Sequence, residues 1–217
     1  MDEKFFHGIK TLLSFDPIHA PHPSQLANVM IDNVAVGTVI ATESDDNDVF
    51  AFASVINCTT YADKPCLQAM KKLCLDKCPQ QHKADLELVL SGNTKRPAGF
   101  MIHARMINVP LTIVESLHQQ LVLDMDWAVE NVEDLDERKS LDFGAFVVLA
   151  PCSAGEGGSP IYKYFEDEIF ASNSEFVFTF DAPKGFATEE RKLCSVIVLT
   201  KTGHRASMTE MANLIPR

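Results

Sequence analysis

The chain has 217 residues, of which 46% are hydrophobic and 23% charged, the composition of a folded globular chain and not of a disordered, collagen-like or coiled-coil protein. Nineteen Lys and Arg against thirty Asp and Glu leave a formal charge of −11. The electrostatic partner is therefore expected to be cationic, and direct binding of bare duplex DNA is disfavoured.

The first predicted helix covers Phe5 to Leu13, with Phe5, Phe6, Ile9, Leu12 and Leu13 spaced for one face. A loop from Asp16 to Pro23 leads to a second helix, for which Ser24 is the expected N-cap and Leu26, Val29 and Met30 the apolar face. Val34–Ala41 and Val49–Ile56 are β-rich runs around the acidic stretch Glu43 to Asp48, the pattern of a hairpin-like pair with a long solvated loop. Residues 65–78 read as a helix with Pro65 in its first turn and Pro79 as its stop. Phe100–His103 is a short strand. After Pro110 a helix is predicted with Thr112 and Glu115 as a capping box ahead of Val114, Leu117 and Leu121. Further strands are expected at Phe143–Ala150, Phe176–Phe180 and Cys194–Thr200, a Gly-rich loop at Gly155–Pro160, and a short terminal helix from Thr209. Helices and strands alternate, which places the chain in the α/β or α+β class around a mixed sheet.

Charge is blocked along the chain: −6 over residues 1–60, +4 over 61–110 and −9 over 111–217. The stretch Asp124–Asp142 holds eight acids and two bases, and Glu133, Asp134, Asp136 and Glu137 form its densest part. Such a block is a solvated face or, together with Asp45, Asp46 and Asp48, a receptor for a basic partner. The three aspartates lack the Gly and downstream Glu of an EF-hand calcium loop. Cys74, Cys78 and His82 fall at i, i+4 and i+8, but Pro79 interrupts the helix and no fourth ligand follows, so they read as core thiols and no metal is expected. The six cysteines sit mostly in apolar stretches with no signal sequence before them and are expected to be reduced, in an intracellular protein. No apolar run approaches the ~18 residues of a membrane span. Gly155-Glu156-Gly157-Gly158-Ser159 lacks the Lys of a Walker loop, and no nucleophile elbow occurs. Arg96-Pro97-Ala98-Gly99-Phe100-Met101 resembles the start of the phosphate-cradling loop of GNAT acetyltransferases, with Met101 where a second small residue belongs; a structural turn is the expected reading.

From Arg96 to Leu121, RPAGFMIHARMINVPLTIVESLHQQL, the chain resembles the BCCIP family, and Arg105–Pro110 followed by the HQQL helix is the most specific piece. The likeness extends to Phe5–Leu13, Val36–Ile40, Asp48–Asn57, Phe165–Ala171, Phe176–Phe180 and Ser195–Lys201. It implies one domain over residues 1–217, with a mixed, mostly antiparallel sheet flanked by helices and a GNAT acetyltransferase-like fold. It implies a non-enzymatic protein without cofactor that chaperones a basic ribosomal protein of the large subunit in ribosome assembly, with scaffold roles in DNA repair and the cell cycle. A nuclear location with cytoplasmic shuttling is implied too; the alternative is an acyl-CoA-dependent acetyltransferase. Members carry a long acidic tail before the first helix where only Asp2 and Glu3 stand here, and Leu121–Phe143 is more acidic than the family pattern. Arg105 is expected to pair with a nearby acid, and Asn108 to shape the turn from strand to helix.

Overall fold

Side chains of a strand alternate between faces, so a strand apolar at nearly every position must be covered on both sides. In the computed structural model, which describes residues 1–42, 48–183 and 192–215, this holds for β2 (Val49–Asn57) and β3 (Ala98–Arg105), both buried almost throughout. On β2, Phe52 and Ile56 enter one core while Ala51, Ala53 and Val55 enter the other. β1 (Gly37–Ala41) is antiparallel to β2 as the hairpin reading expects, with an irregularity in register at Ile40 and Ala41. Asp45 and Asp46, in the connection, lie outside the described residues.

The second half of the chain supplies β4 (Ala145–Ala154), the short β5 (Pro160–Tyr162), β6 (Phe176–Asp181) and β7 (Lys192–Thr200). The seven strands form one sheet in the order β1-β2-β3-β4-β7-β6, with β5 paired to β4. Every neighbouring pair is antiparallel except β3 and β4. Those two share only three registered pairs, from Ala98↔Ala145 to Phe100↔Val147. Beyond Phe100, β3 runs on to Arg105 with no strand partner on that side among the described residues, and the two strands part like a wedge.

Four helices, α1 (Phe6–Ser14), α2 (Pro23–Asp32), α3 (Pro65–Lys77) and α4 (Gln80–Ser91), close one face around Leu13, Met30, Leu67 and Leu86. On the other lie α5 (Leu111–Asn131), α6 (Leu135–Leu141), α7 (Phe165–Ser172) and α8 (Lys201–Leu214), around Leu121, Leu141, Phe170 and Met211. The chain is thus a mixed α/β domain with a mostly antiparallel open sheet between two helical layers.

Several expected element ends move. α2 starts at Pro23 with His22 as its N-cap, and Ser24 does not cap it. α5 begins directly after Pro110 with no side-chain cap, so Thr112 lies inside the first turn and forms no capping box; Pro at the boundary makes its own missing N–H harmless. α8 begins at Lys201, not Thr209, because Thr200 accepts a bond from the Gly203 N–H. Pro79 does end α3, yet it also serves as the N-cap of α4, a helix the apolar spacing did not announce. Arg96–Met101 is neither a phosphate loop nor a turn, since Ala98 to Met101 belong to β3 and Gly99 stands opposite both Asn57 and Phe146 in the sheet. Glycine is needed there because a Cβ would run into Val55 and the Phe143 ring.

Candidate functional site

The wedge between β3 and β4 exposes the far end of β3, and the segment entering α7 fills it. Tyr164 places its hydroxyl against the strand's unpaired backbone, donating to the Arg105 carbonyl at 3.2 Å and accepting from the Arg105 N–H at 3.5 Å. His103 and Arg105, two residues apart, project to the same side of the sheet. There Arg105 makes a fork to Glu166, Nε to Oε1 at 2.9 Å and Nη2 to Oε2 at 3.1 Å, with its guanidinium 5.0 Å from the Tyr164 ring centroid. The expected acid partner of Arg105 is thus found 61 residues downstream. His103 Nε2 meets Asp167 Oδ1 at 3.0 Å. His118 of α5 stands edge-on to His103, ring centroids 5.2 Å apart, and Phe170 packs against both rings. None of these four charged or titratable partners, His103, Arg105, Glu166 and Asp167, is more than 8% exposed.

Burial alone would lower the pKa of His103, but the Asp167 charge and hydrogen bond, helped by Glu166, overcome it and the imidazole is raised. Burial also pushes Glu166 upward, and here the Arg105 fork and His103 win, leaving it below its ordinary value. For Asp167 burial prevails over His103, so that carboxyl is raised. His118 has no carboxylate hydrogen bond to offset burial, and with His103 beside it falls to about 3.

Outside this cluster a cleft of about 730 Å³ opens between α1 and the turn after β3. Arg105 and Tyr164 are on its buried side, and Phe15 and Ile107, 69% and 75% exposed, are on its rim with Met106 and Asn108. Asn108 lies in the expected strand-to-helix turn, which a Val109 N–H bond to the Met106 carbonyl closes. Asp48, one of the predicted binding residues, is exposed and also lines the cleft.

The other predicted residues are elsewhere. Glu133, Asp134, Asp136 and Glu137 are exposed around the start of α6, at the opposite end of β2, where Asn57 donates to the Ser140 carbonyl. The eight steps from Val49 to Asn57 separate the two regions by roughly 27 Å, so Asp48 and the α6 acids do not share one surface. Part of the acidic block has a folding role. Asp134 is the N-cap of α6, accepting from the N–H groups of Asp136 and Glu137, and acids in that first turn favour the helix dipole. Asp134→Ala is expected to lose about 1 kcal/mol of stability in urea unfolding, with Asp134→Asn close to wild type; equal values for both would deny the cap.

The sequence reading missed what lies beside those acids. The outer stripe of α5 carries Ile113, Leu123 and Trp127, of which Leu123 and Trp127 are more than half exposed, followed by Glu130 and then by exposed Leu135 on α6. Helical spacing gives the signal, since 113, 116, 120, 123 and 127 all lie opposite the buried stripe at Val114, Leu117, Leu121 and Met125. Cys74 and Cys78 do not meet His82: Cys74 is buried on α3, Cys78 follows that helix, and His82 stacks on Phe176 with centroids 4.5 Å apart. All six cysteines are free, and burial pushes the Cys58 thiol up to about 12. Among the described residues, no helix is long and apolar enough to cross a membrane.

Comparison with known proteins gives a consistent result. The BCCIP family model matches residues 1–157. The bovine (Bos taurus) BRCA2 and CDKN1A-interacting protein is 34% identical over 129 residues, 54% of this chain and 42% of that protein. Protein BCP1 of Debaryomyces hansenii is 27% identical over 211 residues, 81% of this chain and 67% of its own. The zebrafish (Danio rerio) homologue, 34% identical, is matched over 44% of its length, so the chain spans less than half of the two vertebrate relatives. The crystal structure of BCP1 from Saccharomyces cerevisiae superposes with a TM-score of 0.69 at 20% identity, covering 95% of this chain and 82% of that one.

Proposed function

Because the chain belongs to the BCCIP family, we propose that it is a non-enzymatic binding protein that holds a basic ribosomal protein of the large subunit on its α5–α6 surface during ribosome assembly. The observation that carries this reading is the pairing of exposed apolar side chains, Leu123, Trp127 and Leu135, with the carboxylates of Glu130, Glu133, Asp136 and Glu137. A cationic segment with apolar anchors fits such a surface: the aromatic and aliphatic groups supply burial, and the carboxylates select a basic partner and speed encounter. The proposal includes a nuclear location with shuttling to the cytoplasm. It includes contacts with repair and cell-cycle proteins of the kind named for the bovine relative. The proposal also reads this mixed sheet with helices on both faces as GNAT acetyltransferase-like, as the family resemblance implies. The acyl-CoA-dependent alternative loses the residues that motivated it, because the backbone of Ala98–Met101 is engaged with β2 and β4.

The test is a pull-down from ribosome-assembling extract, read by mass spectrometry, with wild type and a Glu133→Gln, Asp136→Asn, Glu137→Gln variant that leaves the Asp134 cap in place. Wild type is expected to enrich one basic large-subunit ribosomal protein. Binding to that protein, once purified, should weaken on the order of tenfold between low and high salt. Equal capture by the variant would move the interface off α6, and salt-indifferent affinity would remove the electrostatic mechanism.

A further inference from the structure

The cluster in the wedge contains more donor atoms than its hydrogen bonds use. Both ring nitrogens of His118, Nδ1 of His103 and Oδ2 of Asp167 are buried without a hydrogen-bond partner among the described residues. Buried polar groups are paired in the great majority of cases, and an orphan costs about 1–3 kcal/mol, so several in one place call for a missing partner. Hydrogen bonding among themselves does not supply it, since His103 Nδ1 is 3.7 Å from Glu166 Oε1, too far for a bond.

From these residues we propose that His103, His118 and Glu166 form a binding site for a divalent transition-metal cation of the zinc class. One donor atom from each of the three lies within 4.8 Å of the others, and all three residues are buried. Two imidazoles and a carboxylate are a donor set that zinc takes, and ligands about 2.0–2.1 Å from a tetrahedral ion stand roughly 3.3 Å apart, so binding would draw the donors together from 3.7 Å between His103 and Glu166 and from at most 4.8 Å for the others. The surroundings have the form that metal ligands require. Asp167 holds Nε2 of His103 at 3.0 Å, which fixes the ring and leaves Nδ1 directed at Glu166, the carboxylate–histidine arrangement that orients metal-bound imidazoles. Arg105 fixes Glu166 through the fork at 2.9 and 3.1 Å. Arg105 and Tyr164 line the cleft and stand between it and the cluster, so an ion arriving from that side passes these two side chains. This proposal is independent of the α5–α6 client surface.

The test uses the untagged full chain, purified without chelator and dialysed against metal-free buffer. One equivalent of zinc by elemental analysis is expected. The stripped protein should rise in Tm by roughly 5–10 °C with Zn²⁺ at hundredfold excess over its Kd and show a one-equivalent visible Co²⁺ band. His118→Phe, which keeps a ring beside Phe170, should lose both responses, while Cys78→Ser/His82→Ala should keep them. Folded, stripped wild type that gives neither the band nor a Tm rise would overturn the site and leave a buried water as the partner of His118. A band that survives in His118→Phe, or disappears in the Cys78/His82 variant, would overturn it equally.

Discussion

Arg105→Met is expected to destabilise the chain by about 3–5 kcal/mol in urea unfolding, a Tm loss of roughly 6–20 °C, because it leaves Glu166 charged and buried without its fork. The side chains of Arg105 and Glu166 are 6% and 1% exposed, so solvent cannot take over the lost bonds. Removing both charges is a different experiment. In Arg105→Met/Glu166→Leu no orphan carboxylate remains, and most of the lost stability should return, because apolar pairs of similar volume replace buried ion pairs at little net cost. The cycle belongs in metal-free buffer, where loss of a proposed ligand does not enter. A single variant within about 1 kcal/mol of wild type would show that Glu166 finds water or another donor.

Acid should destabilise the protein through His204, and His204→Phe should blunt that effect. The ring is fully buried between Phe146 and Phe170, with centroids at 4.8 and 5.9 Å, and neither nitrogen has a hydrogen-bond partner among the described residues. Burial, and then the neighbouring Arg205 charge, lowers its pKa from 6.5 to about 3. Between those values the unfolded chain binds this proton and the folded chain does not. Stability from His204 is therefore complete above pH 6.5 and declines as pH falls toward 3, by about 1.4 kcal/mol per unit. From pH 6.5 to 4.5 the wild type should lose roughly 2–3 kcal/mol more than His204→Phe, whose ring preserves the aromatic packing. Parallel stability curves for the two proteins would mean that His204 is protonated inside the fold.

What the sequence disclosed follows from which forces act locally. β2, β4 and β7, and the Phe100–His103 part of β3, were legible because strands covered on both faces are largely apolar runs. α4 was not, since only Leu86 and Leu90 of its twelve residues are buried and one core-facing pair makes a faint stripe. α8 was read from Thr209 alone because Gly203 weakens the helical signal near its start, although glycine is needed there: a Cβ would strike the Asn173 carbonyl. The site divides along the same line. That Arg105 needs an acid is a local statement and held, whereas the choice of Glu166 depends on β4 parting from β3. Glu166 and Asp167 were read past because acids in a sequence point to solvent, and these two are at most 1% exposed. The α6 acids were legible as charge, but their distance from Asp48 required the sheet.

The three-pair ladder between β3 and β4 has a mechanical meaning. It divides the sheet into two wings, β1-β2-β3 and β5-β4-β7-β6, each with full antiparallel ladders inside it and a short hinge at Ala98–Phe100 between them. Across the open part of that seam, Tyr164, Glu166 and Asp167 act as rivets, joining the first wing to α7 and the residue before it through hydrogen bonds with Arg105 and His103. Unpaired backbone and few ladder bonds mark the places where folds breathe first. Loosening those rivets would ease a pivot of the wings without unzipping either one, so a few buried polar contacts, beside the two apolar cores that span the seam, resist that motion.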